Sequence, residues 1–128
     1  MSNDLVKDIC DLHVKFSVHS RVQAMTDYQR EAFMNFRIEF IKEEVVELST
    51  ADSKEDVVDA LIDIIVVALG TLDAFAVDIN KAWNEVHSKN MQKEPGVNPT
   101  RPNDFGFPDM IKPEGWTPPN HEGNTGLL

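Results

Sequence analysis

The stretch Glu43-Glu44-Val45-Val46-Glu47, followed by Asp56-Val57-Val58-Asp59-Ala60-Leu61-Ile62-Asp63 and then by the apolar run Ile64 to Leu69, decides how this chain folds. An acidic cluster is ordinarily a solvated helix face. Phase argues otherwise here: at about 100° per residue, Asp56, Asp59 and Asp63 fall within roughly 60° of one another on a helix. Val67, Gly70 and Ala74 continue that stripe toward the expected core. Glu43, Glu44 and Glu47 span an arc of roughly 100°, and their upstream continuation is Phe36 and Phe40. Two acidic stripes thus run into two apolar ones. If the helices pack antiparallel, up to six carboxylates converge near the bundle interior, where each unpaired charge costs several kcal/mol. A bound multivalent cation relieves that cost.

Working outward, Thr26-x-x-Gln29 has the form of a capping box and places the start of one long helix near Asp27, running to Ser49. After a short turn at Thr50 to Asp52, Asp52-x-x-Glu55 reads as a second cap-like start. The helix that follows runs from Ser53 to about Ala76, roughly 36 Å at 1.5 Å per residue. Glu55 is read as a capping residue and Asp56 as a first-turn acid favoured by the helix dipole as well as a candidate ligand. Upstream, Leu5, Ile9, Leu12 and Phe16 mark a helix over Asp4 to Lys15, while His19 to Met25 is ambiguous. Downstream, a further helix spans about Asn80 to Gln92. The expected fold is all-α, a bundle of about four helices. Beyond Asp63 the helix is apolar nearly all round, more surface than one small domain covers, so the bundle is expected to assemble as an oligomer.

Composition divides the chain at about residue 94. All seven prolines and five of the six glycines lie beyond Glu94, which excludes ordinary helix there. The expected organisation is a helical domain over 1–93 and a Pro/Gly-rich extended tail over 94–128. Phe105, Phe107, Met110, Ile111 and Trp116 make the tail too apolar for a solvated linker, so it is expected to pack on its own or a partner subunit.

A net charge of −10 argues against a nucleic-acid partner, because duplex binding rests on neutralising phosphates with Lys and Arg. Asp59, Asp63 and Asp73 interrupt the apolar stretch and argue against a membrane span. Met1-Ser2-Asn3-Asp4 lacks the form of a secretory leader. The single cysteine, Cys10, has no internal disulfide partner, and packing is its expected role. Together these point to a cytoplasmic protein.

Glu44 with Glu47, and Asp56 with Asp59, are spaced as two-oxygen pincers on their helices, with Asp63 one turn deeper. Mg²⁺ prefers oxygen ligands and commonly joins carboxylates to substrate phosphates, so phosphate-ester or anhydride hydrolysis is the natural reaction class. Arg37, Lys42, Lys89 and Lys93 are candidate phosphate-binding cations, with Asn90 as a neutral donor. Cys10-x-x-His13 has no companion pair, which argues against zinc. No Glu-x-x-His di-iron pair, glycine-rich phosphate loop or G-x-S-x-G elbow occurs. Asp73 is read as lying outside the site.

At Glu43-Glu44-x-x-Glu47 and Asp56-x-x-Asp59 the chain resembles the all-α nucleoside triphosphate pyrophosphatases of the MazG-like group. Phe36-Arg37, Asp59-Ala60-Leu61-Ile62-Asp63, Leu69-Gly70-Thr71 and Val86-His87-Ser88-Lys89-Asn90-Met91-Gln92-Lys93 extend the likeness to the short phage and bacterial members of phosphoribosyl-ATP pyrophosphohydrolase type. Asp56 stands where the family usually carries the longer Glu. The resemblance implies hydrolysis of a nucleoside triphosphate between its α and β phosphates, with Mg²⁺ or Mn²⁺, to a monophosphate and pyrophosphate. It implies Glu44, Glu47, Asp56 and Asp59 as metal ligands and Glu43 or a neighbouring acid as the group that activates water. Asn90 and Lys93 would bind phosphates. The reading of the residues adds Asp63 as a candidate further ligand and Arg37 and Lys89 as candidate substrate contacts. The resemblance also implies a homodimer or homotetramer. His13, Phe16, His19 and Trp83 are candidates for the base pocket. The preferred substrate is left open between dGTP, several dNTPs and phosphoribosyl-ATP. A rival of another class is an acidic interaction protein, a DNA mimic, whose acids would be spread over an outer face.

Overall fold

The structure is a computed structural model that describes residues 4–101 and 103–128. Met1, Ser2 and Asn3, part of the segment tested above for a leader, lie outside the described residues. The described residues form five helices, α1 (Leu5–Lys15), α2 (Val18–Ala24), α3 (Asp27–Ser49), α4 (Lys54–Ala74) and α5 (Ile79–Met91), and two short strands, β1 (Glu94–Gly96) and β2 (Asp109–Ile111). The ambiguous stretch around His19 is helical, which makes five helices where four were expected. Ser17 lets α2 form by adopting a left-handed backbone, φ 56°, that breaks α1 from it. Arg30 then reaches back from α3, its Nε donating to the Val22 carbonyl and its Nη2 to the Gln23 carbonyl, at 3.1 and 2.8 Å. The Val22 carbonyl also accepts the Met25 N–H at 3.1 Å, and Arg30 adds donors at a helix end whose last carbonyls lack intrahelical partners.

Thr26 caps α3 as the sequence predicts: its Oγ1 accepts from the Gln29 N–H at 3.2 Å, and Gln29 Oε1 accepts from the Thr26 N–H at 2.9 Å. The cap of α4 differs from expectation. Ser53 Oγ, not Asp52, accepts the N–H of Asp56 at 3.0 Å, so the pair that closes the first turn is Ser53 and Asp56. Asp52 and Glu55 form no capping box.

The chain divides into two compact units, Met1–Ile79 with Gly123–Leu128, and Asn80–Glu122. In the first, α3 and α4 are antiparallel. Arg37 meets Val67 and Thr71 while Glu44, further along α3, meets the earlier Asp63. The inner stripe of α3 therefore passes through Phe33, Arg37, Phe40 and Glu44. Phe36, expected on that stripe, is 60% exposed and instead stacks edgewise on Phe40 and in parallel on Phe33. On α4, Val67, Gly70 and Ala74 are buried as the phase analysis anticipated, and Ala60 and Thr71 are buried with them.

Val22, Ala74 and Phe75 form the tightest cluster, with Phe33, Met34 and Leu127 against it. Full burial of an aromatic such as Phe75 contributes about 1.5–3 kcal/mol. Leu127 arrives because the chain end returns to this unit: its N–H donates to the Phe75 carbonyl at 2.7 Å. Asn124 brackets Asp78, accepting from its N–H and donating to its carbonyl, each at 2.9 Å. Gly126, at φ 54°, passes so close that a Cβ there would lie 2.0 Å from the Phe75 oxygen.

In the second unit, β1 and β2 pair antiparallel with Pro95 opposite Met110. Trp116 packs on the end of α5, its Nε1 donating to the Lys89 carbonyl at 2.9 Å. No single helix among the described residues is long and apolar enough to cross a membrane.

Candidate functional site

Where α3 and α4 approach their shared turn, each helix presents acid to the other. Glu44 projects from the inner stripe of α3 and is 8% exposed. Glu47 lies three residues on, about one turn further along the helix, and Asp63 faces them from α4. One oxygen from each of Glu44, Glu47 and Asp63 lies within 4.8 Å of the others. Oε2 of Glu44 is buried with no hydrogen-bond partner among the described residues. A buried carboxylate oxygen without a partner is costly, since its desolvation is uncompensated. Burial is accordingly the main cause that raises the Glu44 carboxyl above its ordinary 4.5, reinforced by the negative charges of Glu47, Asp63 and Glu43.

Asp56 and Asp59 are exposed and do not enter that triad. With Glu47, Thr50, Ala51, Asp52 and Ala60 they line an adjoining open cleft of about 220 Å³. Ala60, one residue beyond Asp59, takes the inward position on α4 at 5% exposure. Phase alone therefore placed Asp59 deeper than the helix does. Glu43 is exposed, on the outer side of α3 from Glu44. The six acids thus separate into a three-carboxylate centre, an acidic cleft beside it, and Glu43 at the surface.

Arg37 lies on the inner stripe of α3, where its guanidinium is engaged by protein. Nε donates to Thr71 Oγ1 and Nη2 to the Val67 carbonyl, both at 2.9 Å, and the group lies 5.6 Å from the Phe40 ring centre. Burial lowers its pKa below the ordinary guanidinium value, yet a guanidinium remains charged in proteins. This residue is a clamp between α3 and α4. Lys89, Asn90 and Lys93 belong to the second unit. There Lys89 Nζ donates to Thr117 Oγ1 at 2.9 Å, and Lys93 Nζ lies 5.2 Å from the Trp116 ring centre. Lys112, which the sequence reading did not single out, lies 5.1 Å from the same ring. Trp83 and Phe16 are exposed, at 65% and 62%.

A second polar cluster was missed. His13 Nδ1 and His19 Nε2 both meet Asp73 Oδ2, at 2.7 and 2.5 Å, and the His13 ring is nearly buried. His13 and Asp73 are 60 residues apart. No spacing rule links them, and the only available signal was an acid in the otherwise apolar second half of α4.

Residues 9–90, well over half of the chain, match the phosphoribosyl-ATP pyrophosphohydrolase family. That family lies within the MazG-like all-α nucleoside triphosphate pyrophosphohydrolase superfamily. No curated protein matches the chain. The matched span contains both acidic motifs, the whole three-carboxylate centre, and Asn90 at its end.

Proposed function

The chain belongs to the phosphoribosyl-ATP pyrophosphohydrolase family, and on that premise we propose that it hydrolyses a nucleoside triphosphate at the α–β phosphoanhydride, releasing a nucleoside monophosphate and pyrophosphate. The observation that carries this reading is the buried, unpartnered Oε2 of Glu44, whose carboxylate meets those of Glu47 and Asp63. An all-oxygen set with one orphaned acceptor suits a hard divalent cation, and Mg²⁺ or Mn²⁺ fits it. When bound, such an ion neutralises phosphoryl oxygens and makes water more acidic. Glu44, Glu47 and Asp63 would hold it, with Asp56 and Asp59 offering further carboxylate oxygens at the adjoining cleft. Glu43, outside the triad, would accept the proton of the attacking water. Asn90 and Lys93 would take substrate phosphates, with Lys89 beside them. Arg37 keeps α3 and α4 in register so that Glu44 and Asp63 remain opposed.

Burial of Glu44 favours this reading over a DNA mimic, because a mimic needs its acids displayed to solvent. The family match favours phosphoribosyl-ATP as a second candidate substrate. The cleaved bond is the same, so the carboxylate centre would serve either molecule. A homo-oligomer is part of the proposal. Val58, Leu61, Ile62 and Ile65 on α4 are 62%, 47%, 52% and 43% exposed, an apolar face that a second protomer would cover.

The test is a panel of NTPs, dNTPs and phosphoribosyl-ATP, assayed for pyrophosphate with Mg²⁺ and with Mn²⁺. At least one substrate is expected to turn over, and Glu47→Ala is expected to abolish activity without unfolding the protein. A panel with no pyrophosphate release under either metal would overturn the proposal and name none of the three substrate classes.

A further inference from the structure

Cys10 on α1, His19 on α2 and Asp73 on α4 each place one ligating atom within 4.8 Å of the other two. The three come from three different helices of one unit, and all are partly buried. Asp73 lies ten residues beyond Asp63 on α4, roughly 15 Å along the axis at 1.5 Å per residue, so the cluster is separate from the carboxylate centre. Its chemistry is also different. The first site offers oxygen alone, whereas this one offers sulfur, imidazole nitrogen and one carboxylate. We propose that Cys10, His19 and Asp73 form a second cation site, for a borderline divalent ion of the Zn²⁺ type, which ties α1, α2 and α4 together.

Thiolate, imidazole and carboxylate are the donor types found around zinc, and tetrahedral bond lengths place ligand atoms about 3.3–3.6 Å apart. From separations of at most 4.8 Å the atoms need to close by no more than about an ångström, while the 2.5 Å contact between His19 and Asp73 opens to admit the ion. Side-chain rotation of a half-exposed imidazole supplies that movement. On binding, Cys10 loses its thiol proton to solvent, and His19 takes the tautomer with hydrogen on Nδ1, which frees the Nε2 lone pair. One proton is released in all.

His13 supplies the support that a ligating carboxylate needs. Its Nδ1 meets Asp73 Oδ2 at 2.7 Å from a ring that is itself nearly buried, which fixes the carboxylate's direction. Gly70 makes room for that ring: a Cβ there would lie 3.3 Å from His13 Cε1. A cleft of about 420 Å³, lined by His19, Gln23, Asp73 and Ala74 among others, opens on two members of the cluster, His19 and Asp73. Three protein ligands and an open side leave a fourth position for water or a small anion. The site also answers a local weakness, since α2 has seven residues and its N-cap Ser17 makes no side-chain capping bond.

Cobalt(II) is the probe, added to the reduced full-length protein with Mg²⁺ in excess so that the carboxylate centre is occupied. One equivalent is expected to give a near-ultraviolet thiolate-to-cobalt charge-transfer band together with the visible bands of a four-coordinate ion, both erased by Zn²⁺. Because the chain has one cysteine, the charge-transfer band assigns Cys10 without any variant. His19→Gln and Asp73→Asn are each expected to weaken cobalt affinity at least about tenfold, the scale of losing a ligand or its support. Glu47→Gln is expected to leave the band unchanged. Absence of a thiolate band in the folded wild type overturns the proposal. So does a band that survives His19→Gln combined with Asp73→Asn, since the thiol would then be binding cobalt alone.

Discussion

Arg37 and Thr71, 34 residues apart in sequence, are joined across α3 and α4 by a 2.9 Å hydrogen bond from Nε to Oγ1. Thr71 Oγ1 in turn donates to the Val67 carbonyl at 2.8 Å, and Arg37 Nη2 donates to the same oxygen. Three groups thus share a closed network at the helix interface. Hydrogen bonds to charged groups contribute about 1.5–3 kcal/mol, so Arg37→Ala is expected to lower unfolding free energy by about 2–3 kcal/mol, measured by urea melts. Gly70→Ala should act in the same direction, because its Cβ would lie 2.8 Å from Arg37 Nη2.

Glu44 titration has a defined sign. Its folded-state carboxyl is raised above 4.5, first by burial and then by Glu47, Asp63 and Glu43, so the metal-free folded protein holds this proton more tightly than the unfolded chain does. The stability gained is fully present below the unfolded pKa and is lost as pH rises through the folded one. Glu44→Gln keeps the shape and removes the titration. In EDTA, the variant is therefore expected to gain stability relative to wild type as pH rises from 4 toward neutrality. Thermal melts across that range check it, and a difference that shrinks with pH would refute the assignment.

Magnesium should reverse that penalty in the wild type. Ions that bind only the folded state raise its stability by mass action, so Mg²⁺ is expected to raise Tm for wild type and not for Asp63→Asn. Asp63→Asn is further expected to lower kcat/KM by about 10²–10³-fold, the scale of removing one group that stabilises developing charge. Asp56→Asn, in the exposed cleft, should cost less. An equal loss from both would place the ion in the cleft instead of the triad.

Gly126 carries the return of the chain end. Its left-handed φ and the 2.0 Å approach of a Cβ to the Phe75 oxygen leave no room for a side chain. Gly126→Ala is expected to displace Leu127 from the Val22–Ala74–Phe75 cluster at a cost of about 2–4 kcal/mol, comparable to losing a core leucine. Denaturant melts measure the loss, and proteolysis at the C-terminus should accelerate with it.

The apolar face of α4 makes an assembly prediction. Ile62→Glu is expected to reduce the hydrodynamic mass to that of one chain while leaving helical content intact. A wild type that sediments as a monomer at micromolar concentration would remove the oligomer from the proposal.

Much of α3 and α4 was legible because local rules act within a few residues. Thr26 and Gln29 cap α3 where the capping box predicts, and Val67, Gly70 and Ala74 are buried where a 3.6-residue period puts them. Ser53 displaced Asp52 as the α4 cap because either side chain can accept the same kind of first-turn N–H, and the choice depends on one residue's backbone angle. α2 was obscure because seven residues hold too few turns for a periodic signal.

The sequence by itself determined that two helices each carry an acidic stripe running into an apolar one and that the chain carries the motifs of its family, since both are written in residues close together along the chain. Only the tertiary structure decided which acids meet. Helical phase cannot separate neighbours a fraction of a turn apart, and the packing of α3 on α4 turned Asp63 inward with Glu44 while leaving Asp56 and Asp59 at the edge. The same holds for Cys10, His19 and Asp73. Their atoms converge because α1, α2 and α4 pack together, and no local rule reaches across the 54 residues between His19 and Asp73.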